Sequence, residues 1–253
     1  MRLKWLGLGE GRAELVWTYH HVILDGWSSA RLLQEVLESY AGVESEGATT
    51  RGVYGRYIEW LSGQDAEENE RFWKKELERL EDPTLLSGVL GESGAEAGDP
   101  QSGERRRSES GTLTRQLSEE QTRRLRRFAQ RQKVTLNTLV QGAWALLLAR
   151  YTGQKAVAFG TAVSGRPASL AGAETALGLF INTLTVVERP SGEQRVGEWL
   201  RGLLQKNLEL REHEHTELSE VQRWAGRAGQ ALFDTLVVFD NYPVEQALGA
   251  GRA

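Results

Sequence analysis

Two histidines and an aspartate stand within seven residues, His20-His21-Val22-Ile23-Leu24-Asp25-Gly26, directly after the apolar, β-prone run Leu15-Val16-Trp17-Thr18-Tyr19. A strand that ends in His-His and feeds a turn holds an imidazole at the rim of a sheet, where ligands and reacting groups are commonly held. An imidazole there works as a general base near neutral pH without a large pKa shift. Neighbouring strand residues point to opposite faces. His20 and His21 therefore address one small site only if the strand ends between them, and the pattern reads as one structural ring and one reactive ring. Asp25 has three uses open to it: orienting an imidazole, binding a metal, or anchoring a loop through an arginine.

Further chemistry-bearing residues lie far along the chain. Ser164-Gly165-Arg166-Pro167 closes a strand and offers an arginine that is either a surface charge or the fixed partner of a carboxylate. Gly178-Leu179-Phe180-Ile181-Asn182-Thr183-Leu184 puts an amide inside an apolar strand, where backbone or a ligand must satisfy it. His213 and His215 sit in Arg211-Glu212-His213-Glu214-His215 and read as a solvated helix end. With no cysteine in the chain, a metal site of three or four ligands finds little support. There is no Gly-x-Ser-x-Gly elbow and no phosphate-binding loop, which leaves phosphoryl transfer and nucleotide hydride transfer unsupported.

The elements that must position these residues emerge from patterning. The 253 residues suit one large domain or two small lobes. Residues 1–21 read as a β-hairpin turning at Gly9-Glu10-Gly11. Ser28 to Tyr40 reads as an amphipathic helix capped by Ser28 or Ser29, and 56–61 and 65–80 as two more helices. Residues 87–111, rich in Gly, Ser, Glu and Pro, read as a linker or long loop. Beyond it, Ser118-Glu119-Glu120-Gln121 is a capping box opening a helix to Gln132. Helices come next at 135–151 and 196–212, with strands at 155–163, 180–187 and 233–240. The alternation indicates α/β or α+β layers. A net charge of −4 and a basic cluster, Arg105-Arg106-Arg107, without interleaved aromatics, argue against nucleic acid as a partner. No apolar run reaches the ~18 residues of a membrane span, and a cytoplasmic protein is the expectation.

Taken together, these stretches resemble the condensation domains of nonribosomal peptide synthetases. His20, His21, Asp25 and Gly26 match that family's His-His-x-x-x-Asp-Gly motif, and the match continues into Trp27 and Ser28. Tyr57-Ile58-Glu59-Trp60-Leu61 with Phe72-Trp73-Lys74, the Ser164–Pro167 and Gly178–Leu184 stretches, and Phe233 to Pro243 match further motifs in order. The arginine and asparagine stretches favour condensation over the epimerization relatives, and the intact His20 disfavours the cyclizing ones. Family members are longer and carry a substantial segment ahead of the histidines; here nineteen residues precede His20, so the chain reads as a piece of such a domain.

The resemblance implies a chloramphenicol-acetyltransferase-like fold of two lobes around a tunnel. Here 1–98 would be the remainder of the N-terminal lobe, 99–110 a linker, and 111–253 the C-terminal lobe. It implies amide formation between a donor thioester and an acceptor amine, each on the phosphopantetheine arm of a carrier protein, with an adenylation domain adjacent and no cofactor held by the chain itself. His21 would be the catalytic residue. His20 and Gly26 would shape the motif loop, Asp25 would pair with Arg166 across the lobes, and Asn182, Trp27 and Ser28 would line the tunnel. Two rivals are a noncatalytic carrier-docking module and a free-standing acyltransferase using coenzyme A.

Overall fold

A computed structural model describes residues 1–42, 52–91 and 111–240. The start of the expected loop at 87–111 is instead helical, over Leu86–Gly91; the expected linker at 99–110, the cluster Arg105–Arg107 and the end of the late motif at Tyr242-Pro243 lie outside the described residues. The described residues form two compact units. One is built from Met1–Ala66 and Val163–Asn182 with residues 239–240; the other is built from Glu67–Ala162 and Thr183–Val238. The units are thus discontinuous in sequence, and their borders fall away from residue 100.

The first unit opens with the expected hairpin. Strands β1 (Arg2–Gly9) and β2 (Arg12–Thr18) pair antiparallel, with Leu3 opposite Trp17 and Trp5 opposite Leu15. The turn needs left-handed backbone at Gly9, Glu10 and Gly11 (φ 78°, 53° and 71°), and two of those three are glycine, which adopts it without strain. Helix α1 (Gly26–Tyr40) begins two residues before the expected start. Its cap is Asp25 rather than Ser28 or Ser29, because the Asp25 carboxylate accepts the Ser28 N–H. Helix α2 (Val53–Ser62) contributes Val53 and Tyr57 to a small core with Ala176 and Phe180, flanked by Tyr54, Trp60, Leu61 and Leu170. The 163–182 segment is therefore packed on α2 across more than a hundred residues of sequence.

The second unit holds helices α3 (Ala66–Leu77), α4 (Leu86–Gly91), α5 (Glu119–Gln132), α6 (Leu136–Thr152), α7 (Val196–Glu212) and α8 (Leu218–Trp224). Its sheet orders β4 (Asn182–Glu188), β3 (Val157–Val163) and β5 (Leu236–Val237). The capping box at Ser118 is complete, and α6 ends at Gly153 as its left-handed cap. The expected 233–240 strand shrinks to the two residues of β5, which pair in parallel with β3. In α6 the polar interruption of the apolar run has a use. Buried Gln141 donates to Thr161 Oγ1 at 3.1 Å and accepts from Asn207 Nδ2 at 2.8 Å, joining α6 to β3 and α7. Gly142 beside it leaves room for Leu200 and Trp199.

His213 and His215 are not a solvated helix end. Their rings grip the amide of buried Asn69 on α3: His213 Nδ1 donates to Asn69 Oδ1 at 2.6 Å, and Asn69 Nδ2 donates to His215 Nε2 at 2.8 Å. The His213 ring also stacks on Phe72 at 3.9 Å between centroids. Burial holds both imidazoles below their usual pKa; Glu68 and Glu212 oppose this at His213, and His213 adds to it at His215. An unfolded chain then binds more protons than the folded one as pH falls through the ordinary histidine value near 6.5. Thermal melts at pH 7.5 and 5.5 should show the wild type losing stability on acidification. A His213→Gln, His215→Gln double variant should lose less; equal acid sensitivity of the two proteins would contradict the assignment.

Candidate active site

Strand β2 stops at Thr18, ahead of both histidines, so strand alternation does not separate them. The chain turns instead at His21–Ile23. Val22 N donates to His20 Nδ1 at 3.0 Å, and Ile23 N donates to the His20 carbonyl at 3.1 Å. His20 thus closes the turn with its own ring, which leaves the proton of the neutral imidazole on Nε2. His21 is exposed and meets Tyr19 edge-on at 6.0 Å between centroids. Tyr19 in turn lies 4.8 Å from Trp17.

Beyond the turn the chain is buried and its polar groups are engaged. Asp25 is 4% exposed. Its Oδ1 accepts from Ser28 N at 2.7 Å and its Oδ2 from Phe180 N at 3.0 Å. Arg166 Nη2 stands 3.4 Å from both oxygens. The three uses open to Asp25 therefore narrow to one: it caps α1 and binds Arg166, and no imidazole is among its partners. Arg166, with a side chain 6% exposed, also donates through Nη1 to the carbonyls of Ala173 and Ala176. Its guanidinium lies 4.1 Å from the Phe180 ring centre. Burial pulls the Arg166 pKa down and Asp25 pushes it back up, and an arginine so placed stays charged. Asp25 and Arg166 both belong to the first unit.

The remaining expected residues separate. Ser28, expected in a tunnel wall, is wholly buried. Its hydroxyl is spent on Gly178 and Arg166. Gly26 is the first residue of α1. Trp27 is 43% exposed, and its indole N–H donates to the Glu174 carbonyl at 3.2 Å. Asn182 opens β4 and is partly exposed rather than enclosed in the strand. Among the described residues, no three His, Asp or Glu side chains gather closely enough to hold a metal ion.

Sequence reasoning picked out the Gly178–Leu184 stretch for its asparagine and not for the backbone that, at Gly178 and Phe180 and at Ala173 and Ala176, receives these side chains. The glycines were the available signal. Gly165 has φ 61°, and a Cβ there would fall 1.8 Å from the Phe180 carbonyl oxygen; one at Gly178 would enter the Tyr54 ring. Gly165 lets two backbone segments approach closely, and Gly178 leaves room for the Tyr54 ring.

A family profile described as Condensation domain matches residues 1–250. The chain is 37% identical over 253 residues to one subunit of the linear gramicidin synthase of Brevibacillus parabrevis, with 98% of this chain covering 3% of that protein. It is 42% identical over 242 residues to another subunit of the same synthase (94% and 4%), and 38% identical over 251 residues to chondramide synthase cmdD of Chondromyces crocatus (98% and 6%). The chain therefore spans only a small fraction of these relatives. Among solved structures, the first condensation domain of the calcium-dependent antibiotic synthetase aligns with TM-score 0.66 at 21% identity, over 95% of this chain and 54% of that one. A four-domain nonribosomal peptide synthetase aligns with TM-score 0.69 at 18% identity, over 95% and 18%. These two likenesses show the fold.

Arg166→Leu would leave Asp25 buried without its counter-charge, a change that costs about 3–5 kcal/mol in comparable sites. Urea denaturation should show a loss of that size. An unchanged midpoint would mean that the backbone N–H groups alone hold the carboxylate.

Proposed function

We infer the function from the premise that this chain belongs to the condensation-domain family: it acts in a nonribosomal peptide synthetase, forming an amide between a carrier-bound acyl or peptidyl thioester and a carrier-bound acceptor amine. The observation that carries the reading is a solvent-reachable imidazole, His21, on a turn whose far end is anchored by a buried ion pair. The family's fold is a chloramphenicol-acetyltransferase-like one, and the lobe boundaries at 98 and 111 belong to the same proposal.

In the reaction the acceptor amine attacks the thioester carbonyl. A C–N bond forms, the C–S bond breaks, and the thiol of the donor arm leaves. His21 stands beside the attacking amine, either taking its proton or holding it in line for attack. His20 closes the turn. Gly26 starts the helix behind it, and Asp25 and Arg166 fix that helix to the 173–180 backbone. Trp27 and Asn182 face the substrates. The phosphopantetheine arms arrive on the donor and acceptor carriers, with an adenylation domain adjacent in the same synthetase. Among the described residues no helix is long and apolar enough to cross a membrane, and we place the chain in the cytoplasm as part of this reading.

The test supplies carrier-bound donor and acceptor and measures product by mass spectrometry. His21→Ala should lower the rate by about 10²–10⁴-fold, the usual contribution of a positioned acid–base group, with the unfolding midpoint unchanged. Unaltered product formation would favour a noncatalytic docking module. Product from a coenzyme A thioester without any carrier would favour a free-standing acyltransferase.

A further inference from the structure

One oxygen in the first unit carries more than its position suggests. Ser28 Oγ is wholly enclosed and has no capacity left. It donates to the Gly178 carbonyl at 2.8 Å, accepts the Gly178 N–H at 3.1 Å, and accepts Arg166 Nη2 at 2.8 Å. A hydroxyl offers one donor and two acceptor sites, and all three are used. The Gly178 carbonyl also receives Asp25 N at 3.2 Å, while Phe180 N reaches Asp25 Oδ2 at 3.0 Å. Residues 25–28 and 178–180 are thus laced together as two strands would be, with two side chains standing in for backbone.

The two laced segments lead in opposite directions to the residues that would meet substrate. Upstream of Asp25 the chain runs at once into the His20–Ile23 turn. Downstream of Phe180 it reaches Asn182 two residues later. We propose that Ser28 is a positioning residue for the reaction: by holding both peptide groups of Gly178 together with Arg166, it makes the His21 turn and the Asn182 segment move as one body. This deepens the condensation reading of the His21 site and rests on it.

The geometry also says why a hydroxyl is needed. An alanine would leave the Gly178 N–H one acceptor short and its carbonyl one donor short, and would remove one acceptor from Arg166. A cysteine keeps the shape with a weaker donor and acceptor. The Asp25 cap and the Asp25–Arg166 pair survive both changes, so the fold has reason to persist while the link to Gly178 loosens.

The test compares wild type, Ser28→Ala and Ser28→Cys in two measurements. The first is amide hydrogen exchange. In Ser28→Ala, exchange at the Gly178 amide should rise about tenfold, as expected for a lost hydrogen bond of ordinary strength, while amides in α5, α6 and α7 keep their protection; Ser28→Cys should fall between. The second is the condensation assay. Ser28→Ala should lower kcat by roughly 10- to 100-fold, the scale of a small misplacement at a reacting centre, with KM for the carrier-bound acceptor unchanged and partial rescue in Ser28→Cys. Exchange at the Gly178 amide equal to wild type overturns the proposal. So does a uniform rise through α5 to α7, which would make Ser28 a residue of general stability. If His21→Ala retains full activity, the catalytic reading falls while the exchange result stands or falls by itself; if His21→Ala is inactive and Ser28→Ala has wild-type kcat, only the positioning role of Ser28 is lost.

Discussion

A carboxylate removed from water is costly unless charge and hydrogen bonds replace what the solvent supplied. Asp25 meets that requirement in full, and much of the first unit is arranged around doing so. Its two oxygens take the Ser28 and Phe180 N–H groups and face Arg166. Arg166 is held in turn by the carbonyls of Ala173 and Ala176 and by the face of Phe180. Gly165 is glycine because the backbone bringing Arg166 in passes against the Phe180 carbonyl. Gly178 is glycine because Tyr54 fills the space where a side chain would stand. Phe180 then serves two ends, as the lid on the guanidinium and as a member of the small core with Val53, Tyr57 and Ala176.

This arrangement divides labour between the two histidines in a way that strand alternation did not foresee. The strand ends before them, and the turn after it consumes one ring and leaves the other facing solvent. His20 works through a lone pair on Nδ1, a role open to an imidazole and closed to a protonated one. Asp25 offers nothing to His21, since each of its oxygens is committed to another group.

Much of this was readable in the residues. The hairpin turn, the capping box at Ser118 and the bounds of α7 arise from local chemistry, in which a few adjacent residues decide the outcome. The Asp25–Arg166 pairing came through resemblance, since composition left Asp25 three uses. The features that escaped depend on partners far off in sequence. Ser28 looked like a helix cap because serines usually are, yet Asp25 three residues earlier took that place and freed its hydroxyl for Gly178. His213 and His215 looked solvated because charged residues surround them, and nothing local points to Asn69, more than 140 residues earlier. The late strand shrank because β propensity does not set ladder length: only Leu236 and Val237 pair with β3, although β3 itself runs on to Val163.

The separation of Asp25 from its partner also bears on how the chain comes to be folded. Arg166 lies 141 residues downstream, and the Phe180 N–H further still. On a ribosome adding roughly 5–20 residues per second, roughly 7–28 s pass between the emergence of the carboxylate and that of its guanidinium. Through that interval the helix cap can form but the ion pair cannot, so Asp25 must stay in water. The hairpin, with Trp5 opposite Leu15 across a short turn, has no such wait, being built from neighbours that meet on the microsecond scale. The site is thus a product of high contact order assembled late, and the nascent chain carries its histidine turn for many seconds before Arg166 and the 173–180 backbone can anchor it.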